Sequence, residues 1–135
     1  METGAAQAEP VKRAEPPRPV GPAQGGARIF AGRFSGRTAI VTGGASGLGF
    51  LTAQRILQEG GKVSIWDLTA DTLAKAKQTL GEVHSVRVDV SSHADVAEAA
   101  RQSRAALGRV DILVNCAGIT GATVPVQEFP VDDWL

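Results

Sequence analysis

The part of this sequence best equipped for chemistry is an eight-residue run, Thr42-Gly43-Gly44-Ala45-Ser46-Gly47-Leu48-Gly49. Glycines at 43, 47 and 49 leave bare backbone where a strand must turn at once into a helix and where a ligand's phosphate can approach the main chain. The helix that follows presents its unpaired first-turn N–H groups and the positive end of its dipole, a natural seat for a pyrophosphate. One dipole contact contributes only about 0.3–1 kcal/mol, so Ser46, Gly47, Leu48 and Gly49 would have to act together. Eighteen residues beyond Gly49 stands Asp67, close to the interval of about 20 at which an acid meets a ribose hydroxyl pair. Spacing alone leaves the plain readings open: a tight turn, and a solvated acid at the end of a strand.

The surrounding elements decide how much weight the loop carries. Thr38-Ala-Ile-Val-Thr42 is a compact apolar strand candidate that ends in the glycine cluster. Leu48 to Glu59 sets Leu48, Thr52, Ala53, Ile56 and Leu57 at helical spacing, and Gly60-Gly61 supplies the stop. Lys62–Trp66 is a second strand closed by Asp67, and Ala70–Leu80 a second helix with Leu73, Ala76 and Leu80 facing inward. His84–Val88 is a third strand. Ser92 can cap a third helix with Asp95 three residues on, and Val96, Ala99, Ala100, Ser103 and Leu107 form its apolar stripe before Gly108. Val110–Asn115 is a fourth strand. The order β-α-β-α-β-α-β predicts an α/β fold with parallel strands and right-handed crossovers. The glycine loop therefore follows a strand and opens a helix, as a dinucleotide site requires. A carboxylate at Asp67 accepts two hydroxyl hydrogen bonds and repels a 2′-phosphate. Leu68 follows it, and Ser46 stands where a basic side chain could have met that phosphate, so the residues favour NAD over NADP. A P-loop is excluded, because no Gly-Lys-Ser or Gly-Lys-Thr occurs.

Composition removes other classes. The 135 residues carry 14 Lys+Arg against 14 Asp+Glu, so no basic surface exists to dominate binding to nucleic acid or an anionic membrane. No apolar stretch reaches the roughly 18 residues of a membrane span, and no secretory signal stands near the start. Five of the seven prolines lie in residues 1–34, which are expected to be a disordered tail before a domain at 35–135. The single cysteine, Cys116, rules out an intramolecular disulfide and suits a reducing compartment, here the cytoplasm. As a small residue it is expected to be a buried filler. His84 and His93 are expected to be solvated or capping, and Trp66 to pack in the core.

Four segments, in order, resemble the classical short-chain dehydrogenase/reductase family: Thr42–Gly49 as its cofactor loop, Asp67 as its ribose acid, Asp89-Val90 as the pair flanking the adenine, and Gly108–Gly118 as its fourth-strand motif, with Asn115, Ala117 and Gly118 closing over the cofactor. Cys116 departs from that motif, where a second asparagine is common. The resemblance implies a Rossmann-like doubly wound sheet of about four strands here, and NAD-dependent hydride transfer on a small alcohol or ketone by a homo-oligomer, dimer or tetramer. It also implies a serine, a tyrosine, a lysine and a later asparagine for catalysis, all beyond Leu135. The chain contains no tyrosine, so it is expected to be the cofactor-binding half of such an enzyme, without meaningful turnover by itself. A non-catalytic NAD-binding module and an inactive remnant are the alternatives. The strand order 3-2-1-4 would leave Val110–Asn115 as an open edge, with Asp132–Leu135 opening the helix to cover it. The apolar loop from Gly118 to Pro130, with Ile119, Ala122, Val124 and Val126, would face the substrate. Sugars, hydroxy acids, acyl thioesters and steroids all stay open.

Overall fold

The computed structural model describes residues 28–119 and 123–134. Strands β1 (Thr38–Thr42), β2 (Lys62–Asp67), β3 (His84–Arg87) and β4 (Ile112–Asn115) alternate with helices α1 (Gly47–Gln58), α2 (Ala70–Leu80) and α3 (His93–Leu107). All strand pairs are parallel, in the order β3-β2-β1-β4. β1 is buried along its whole length, which is why its residues read as one apolar run with threonines at the ends. Its side chains alternate between two cores. Ala39 and Val41 join Val63 and Ile65 under α1 and α2, with Ala53, Ile56, Leu73 and Ala76. Ile40 joins Trp66, Val86 and Val88 under α3, with Ala99. The sheet is thus covered on both faces, the doubly wound arrangement.

Local signals explain most boundaries. Ser92 accepts a hydrogen bond from Asp95 N at 3.3 Å, the expected cap of α3. The fourth-strand motif braces the sheet through Asp111. Thr38 N donates to its carboxylate at 3.0 Å, and Asp111 N donates to Thr38 O at 2.9 Å. That backbone donor, with Arg109 and despite partial burial, holds the Asp111 carboxyl below its ordinary range. β4 begins at Ile112 rather than Val110, because its ladder with β1 starts at the Ala39–Ile112 pair. It forms one edge of the sheet, with Leu113 59% exposed. Three stripe positions are corrected. Ala100 is exposed, since the part of α3 facing the sheet runs through Ala99 and Ser103. Leu48 is exposed at the very start of α1, and Leu107 is only half-buried. Residues 131–134 form a 3-10 turn; Leu135 and Ala122 lie outside the described residues.

Residues 28–34, which the expected tail included, pack against the end of α1. Residues 1–27 lie outside the described residues, but 28–34 are tied to Glu59, whose side chain is fully buried at the end of α1. Phe30 N donates to Glu59 Oε1 at 3.0 Å, and Phe34 N to the Glu59 carbonyl at 3.0 Å. Arg55 Nε lies 2.7 Å from Oε1 and Arg33 Nε 3.0 Å from Oε2. Both Arg28 and Arg33 set their guanidinium groups over the Phe30 ring. Burial pushes the Glu59 carboxyl up, but the Phe30 N–H and the two arginines outweigh it, leaving the group below its ordinary value.

A carboxyl lowered in the folded state contributes stability that is complete above its unfolded value and lost as the pH falls through the folded one. Wild-type protein is therefore expected to lose thermal stability below about pH 4.5 more steeply than Glu59→Gln, and Glu59→Ala should become sensitive to trypsin at Arg33. Equal cleavage rates for Glu59→Ala and wild type would show that the carboxylate does not hold this segment.

Candidate functional site

The chain steps from β1 to β2 to β3 in one direction and then returns to place β4 on the other side of β1. At such a reversal the loops leaving β1 and β4 diverge, and a crevice opens beyond the strand C-termini. A cavity of about 640 Å³ lies there. The glycine loop makes one wall, the end of β2 and the segment after β3 a second, and the segment after β4 a third.

Different physical demands fall on the loop's glycines. Gly43 has φ +60°, and a Cβ on it would come within 2.9 Å of Ala117 N; a Cβ on Gly49 would come within 2.2 Å of Gly43 O. Those two positions must be bare so that the loop can pack against the β4 exit and against itself. Gly47 differs: at φ +53° a Cβ would meet nothing within 4 Å. Its missing side chain leaves the N-terminus of α1 open to the cavity. Ser46 occupies the helix N-cap in an extended conformation without using its hydroxyl to cap α1, and the first-turn amides of a helix have no partners within it. These are the features that an anionic ligand's diphosphate fits.

The loop is fixed from two sides. Gly44 N donates to Trp66 O at 3.0 Å, and Ala45 N donates to Asp67 Oδ2 at 3.2 Å. Asp67 Oδ1 accepts from Thr72 Oγ1 at 3.3 Å. Each carboxylate oxygen keeps a further lone pair for ligand hydroxyls. On the other side Thr42 Oγ1 accepts from both Cys116 N and Ala117 N at 3.1 Å, so one hydroxyl joins the ends of β1 and β4.

Ten of the eleven site residues picked from the sequence line this cavity: Gly43, Ser46, Gly47, Leu48, Gly49, Asp67, Asp89, Val90, Ala117 and Gly118. Asn115 does not; it ends β4, paired in register with Thr42. Asp89 Oδ1 is held by Ser91, whose hydroxyl donates at 2.6 Å and backbone N–H at 2.9 Å, and those bonds keep the carboxyl below its ordinary value. Ile119 lines the cavity from the loop expected to face the substrate; sequence reasoning missed Val88 and Ser91 as lining residues, and above all the bridging role of Thr42, whose signal was its position directly before the glycine turn on a strand flanked by another. Two readings are corrected. Cys116 is exposed and lines the cavity instead of filling the core, because both its own amide and the next are turned inward to Thr42. His84 is not freely solvated but half-buried, with its Nδ1 2.8 Å from Ser64 Oγ. Among the described residues no group of three or more His, Cys, Asp or Glu side chains could hold a metal ion, and no helix is long and apolar enough to cross a membrane.

The family model for short-chain dehydrogenases matches residues 37–135. The chain belongs to the short-chain dehydrogenase family. It is 61% identical over 106 residues to the 2-dehydro-3-deoxy-L-rhamnonate dehydrogenase (NAD(+)) of Sphingomonas sp. (strain SKA58), covering 78% of this chain and 43% of that relative. The chain thus spans about two fifths of the length of the curated relatives it matches. An NAD+-bound xylitol dehydrogenase superposes with a TM-score of 0.68 at 34% identity, over 76% of this chain and 41% of that one. The C-domain with NADP of a bacterial malonyl-CoA reductase superposes with a TM-score of 0.65 at 32% identity, over 76% of this chain and 18% of that one. These two similar structures hold nicotinamide cofactors of different kinds, so the fold by itself does not choose between them.

Thr42→Val keeps the side-chain shape and removes the shared acceptor, leaving two amides without their partner. It is expected to cost about 1–3 kcal/mol in urea denaturation, with Thr42→Ser close to wild type. A Thr42→Val variant as stable as wild type would show that the oxygen does not join the strands.

Proposed function

We propose that this chain forms the NAD-binding part of an oxidoreductase that moves hydride between nicotinamide and an alcohol or carbonyl substrate. The observation that carries the reading is the Asp67 carboxylate seated against the glycine loop through Ala45 N. Asp67 and Gly47, where a Cβ would meet nothing within 4 Å, line the same cavity. On this reading the amides of the first turn of α1 face the diphosphate, with Ser46 Oγ as an added donor. Asp67 accepts hydrogen bonds from the adenosine ribose and repels a 2′-phosphate. Val88, Asp89 and Val90 border the adenine, while Ala117 and Gly118 border the path toward the nicotinamide, where Gly118 leaves space that a Cβ would enter unopposed. Nicotinamide, when bound, supplies hydride donation or acceptance.

Preference for NAD rests on charge. Asp67 ends β2 with Leu68 next in line, and Arg87, its register partner on β3, turns its Nε to the Leu68 carbonyl at 3.0 Å. One Arg87 N–H is thereby used on the backbone, and the charge of this group acts on Asp89. The relative at 61% identity is named for the same cofactor, and its substrate favours a hydroxylated acid among the classes left open. The exposed, single Cys116 supports a reducing compartment such as the cytoplasm.

Because the chain has no tyrosine, the decisive measurement is binding. Calorimetry on the 135-residue chain is expected to show NADH held at least about tenfold tighter than NADPH, about 1.4 kcal/mol. Asp67→Ser should close most of that gap by weakening NADH. Tighter binding of NADPH, or a featureless titration with both, overturns the assignment.

A further inference from the structure

A polar chain crosses the core beneath the adenine end of the cleft. Ser64 on β2 and Ser103 on α3 are both fully buried, with their hydroxyl oxygens 2.9 Å apart. Trp66 Nε1 lies 2.9 Å from Ser103 Oγ and 3.2 Å from Ser64 Oγ. His84 Nδ1 lies 2.8 Å from Ser64 Oγ. Trp66, 4% exposed, lines the cavity together with Asp67 and Val88. Four side chains from three elements therefore run without a break from the half-buried imidazole to the wall of the cleft.

With a bare Nδ1 on His84, donor and acceptor counting gives this chain one direction. An indole N–H only donates, so Ser103 Oγ receives the Trp66 hydrogen. Ser103 then gives its own hydrogen to Ser64 Oγ, and Ser64 gives its hydrogen to a bare Nδ1 on His84. Every hydrogen has an acceptor when the imidazole is neutral and protonated at Nε2. Protonating Nδ1 reverses the last link: His84 now donates to Ser64, whose hydrogen must turn to Ser103. Ser103 then receives two hydrogens, and its own must leave for a carbonyl of α3.

Resting on the NAD-binding reading, we propose that Ser64, Ser103 and His84 are positioning residues for Trp66, and that the neutral imidazole keeps the chain in the direction that holds the indole against the adenine end of the cleft. The charged group set against His84 is Lys77 on α2, while β2 meets it with Ser64 and α3 meets the chain with Ser103. Burial first and Lys77 second hold the imidazole below its ordinary value, consistent with a bare Nδ1 at neutral pH.

Two measurements on the 135-residue chain test this between about pH 7.5 and 5. The first needs no ligand: the Trp66 indole ¹H–¹⁵N resonance, assigned with Trp134→Phe, is expected to shift in a single titration with its midpoint below about 6.5. The shift should be absent in His84→Asn, whose amide oxygen can replace the Nδ1 acceptor. The second is ADP-ribose binding by calorimetry, which is expected to weaken about three- to tenfold across that titration in wild type and to stay flat in His84→Asn. An indole resonance that ignores pH, or the same titration in His84→Asn, overturns the proposal. A titrating indole with constant ADP-ribose affinity overturns its link to the cleft. If ADP-ribose and NADH bind at no pH while the indole still titrates, the NAD-binding reading fails instead, and the link to it falls.

Discussion

Placing β4 on the far side of β1 is the constraint from which the rest follows. With neighbours on both edges and helices on both faces, β1 has no exposed residue and no freedom to bulge. Its exit must therefore turn sharply between two diverging connections, and only a glycine-rich backbone makes that turn without collision. The same divergence opens the cavity. Fold and site are thus one event: the packing that buries Val41 also forces Gly43 into the left-handed region and brings Ala117 within van der Waals distance of it.

Polar groups then hold what apolar packing positions. Thr42, Asp67 and Asp111 each accept backbone N–H groups from a neighbouring segment, and each sits where two strands must be kept in register at an end. At strand ends the ladder runs out of partners, so side-chain oxygens take over the unpaired amides. The site's geometry rests on these contacts more than on the cavity's apolar lining. Glu59 does the same work at the opposite end of α1, where a fully buried carboxylate gathers two guanidinium groups and a backbone N–H.

How much of this was legible depended on the range of the interaction. The glycine loop, Asp67, the cap at Ser92 and the alternation of elements are encoded within a few residues of one another, and the structure reproduces them within one or two positions at most boundaries. The four-strand parallel order was also readable, because helical crossovers of that length admit few topologies. What escaped was long-range. Residues 28–34 look like a continuation of a proline-rich tail until Glu59, 29 positions beyond Phe30, is brought beneath them. Cys116 looked like core filler because its neighbours are apolar, yet the Thr42 hydroxyl turns its amide inward and its thiol outward. The Ser64–Ser103 contact spans 39 positions and joins a strand to a helix; nothing in either segment announces it.

The clasp at Glu59 also sets the polarity of the whole unit. α1 runs from the mouth of the glycine turn to the buried carboxylate, and twelve residues of helix measure about 18 Å. A dye or affinity handle attached at Arg28 therefore stands a helix length away from the crevice, on the opposite rim of the sheet.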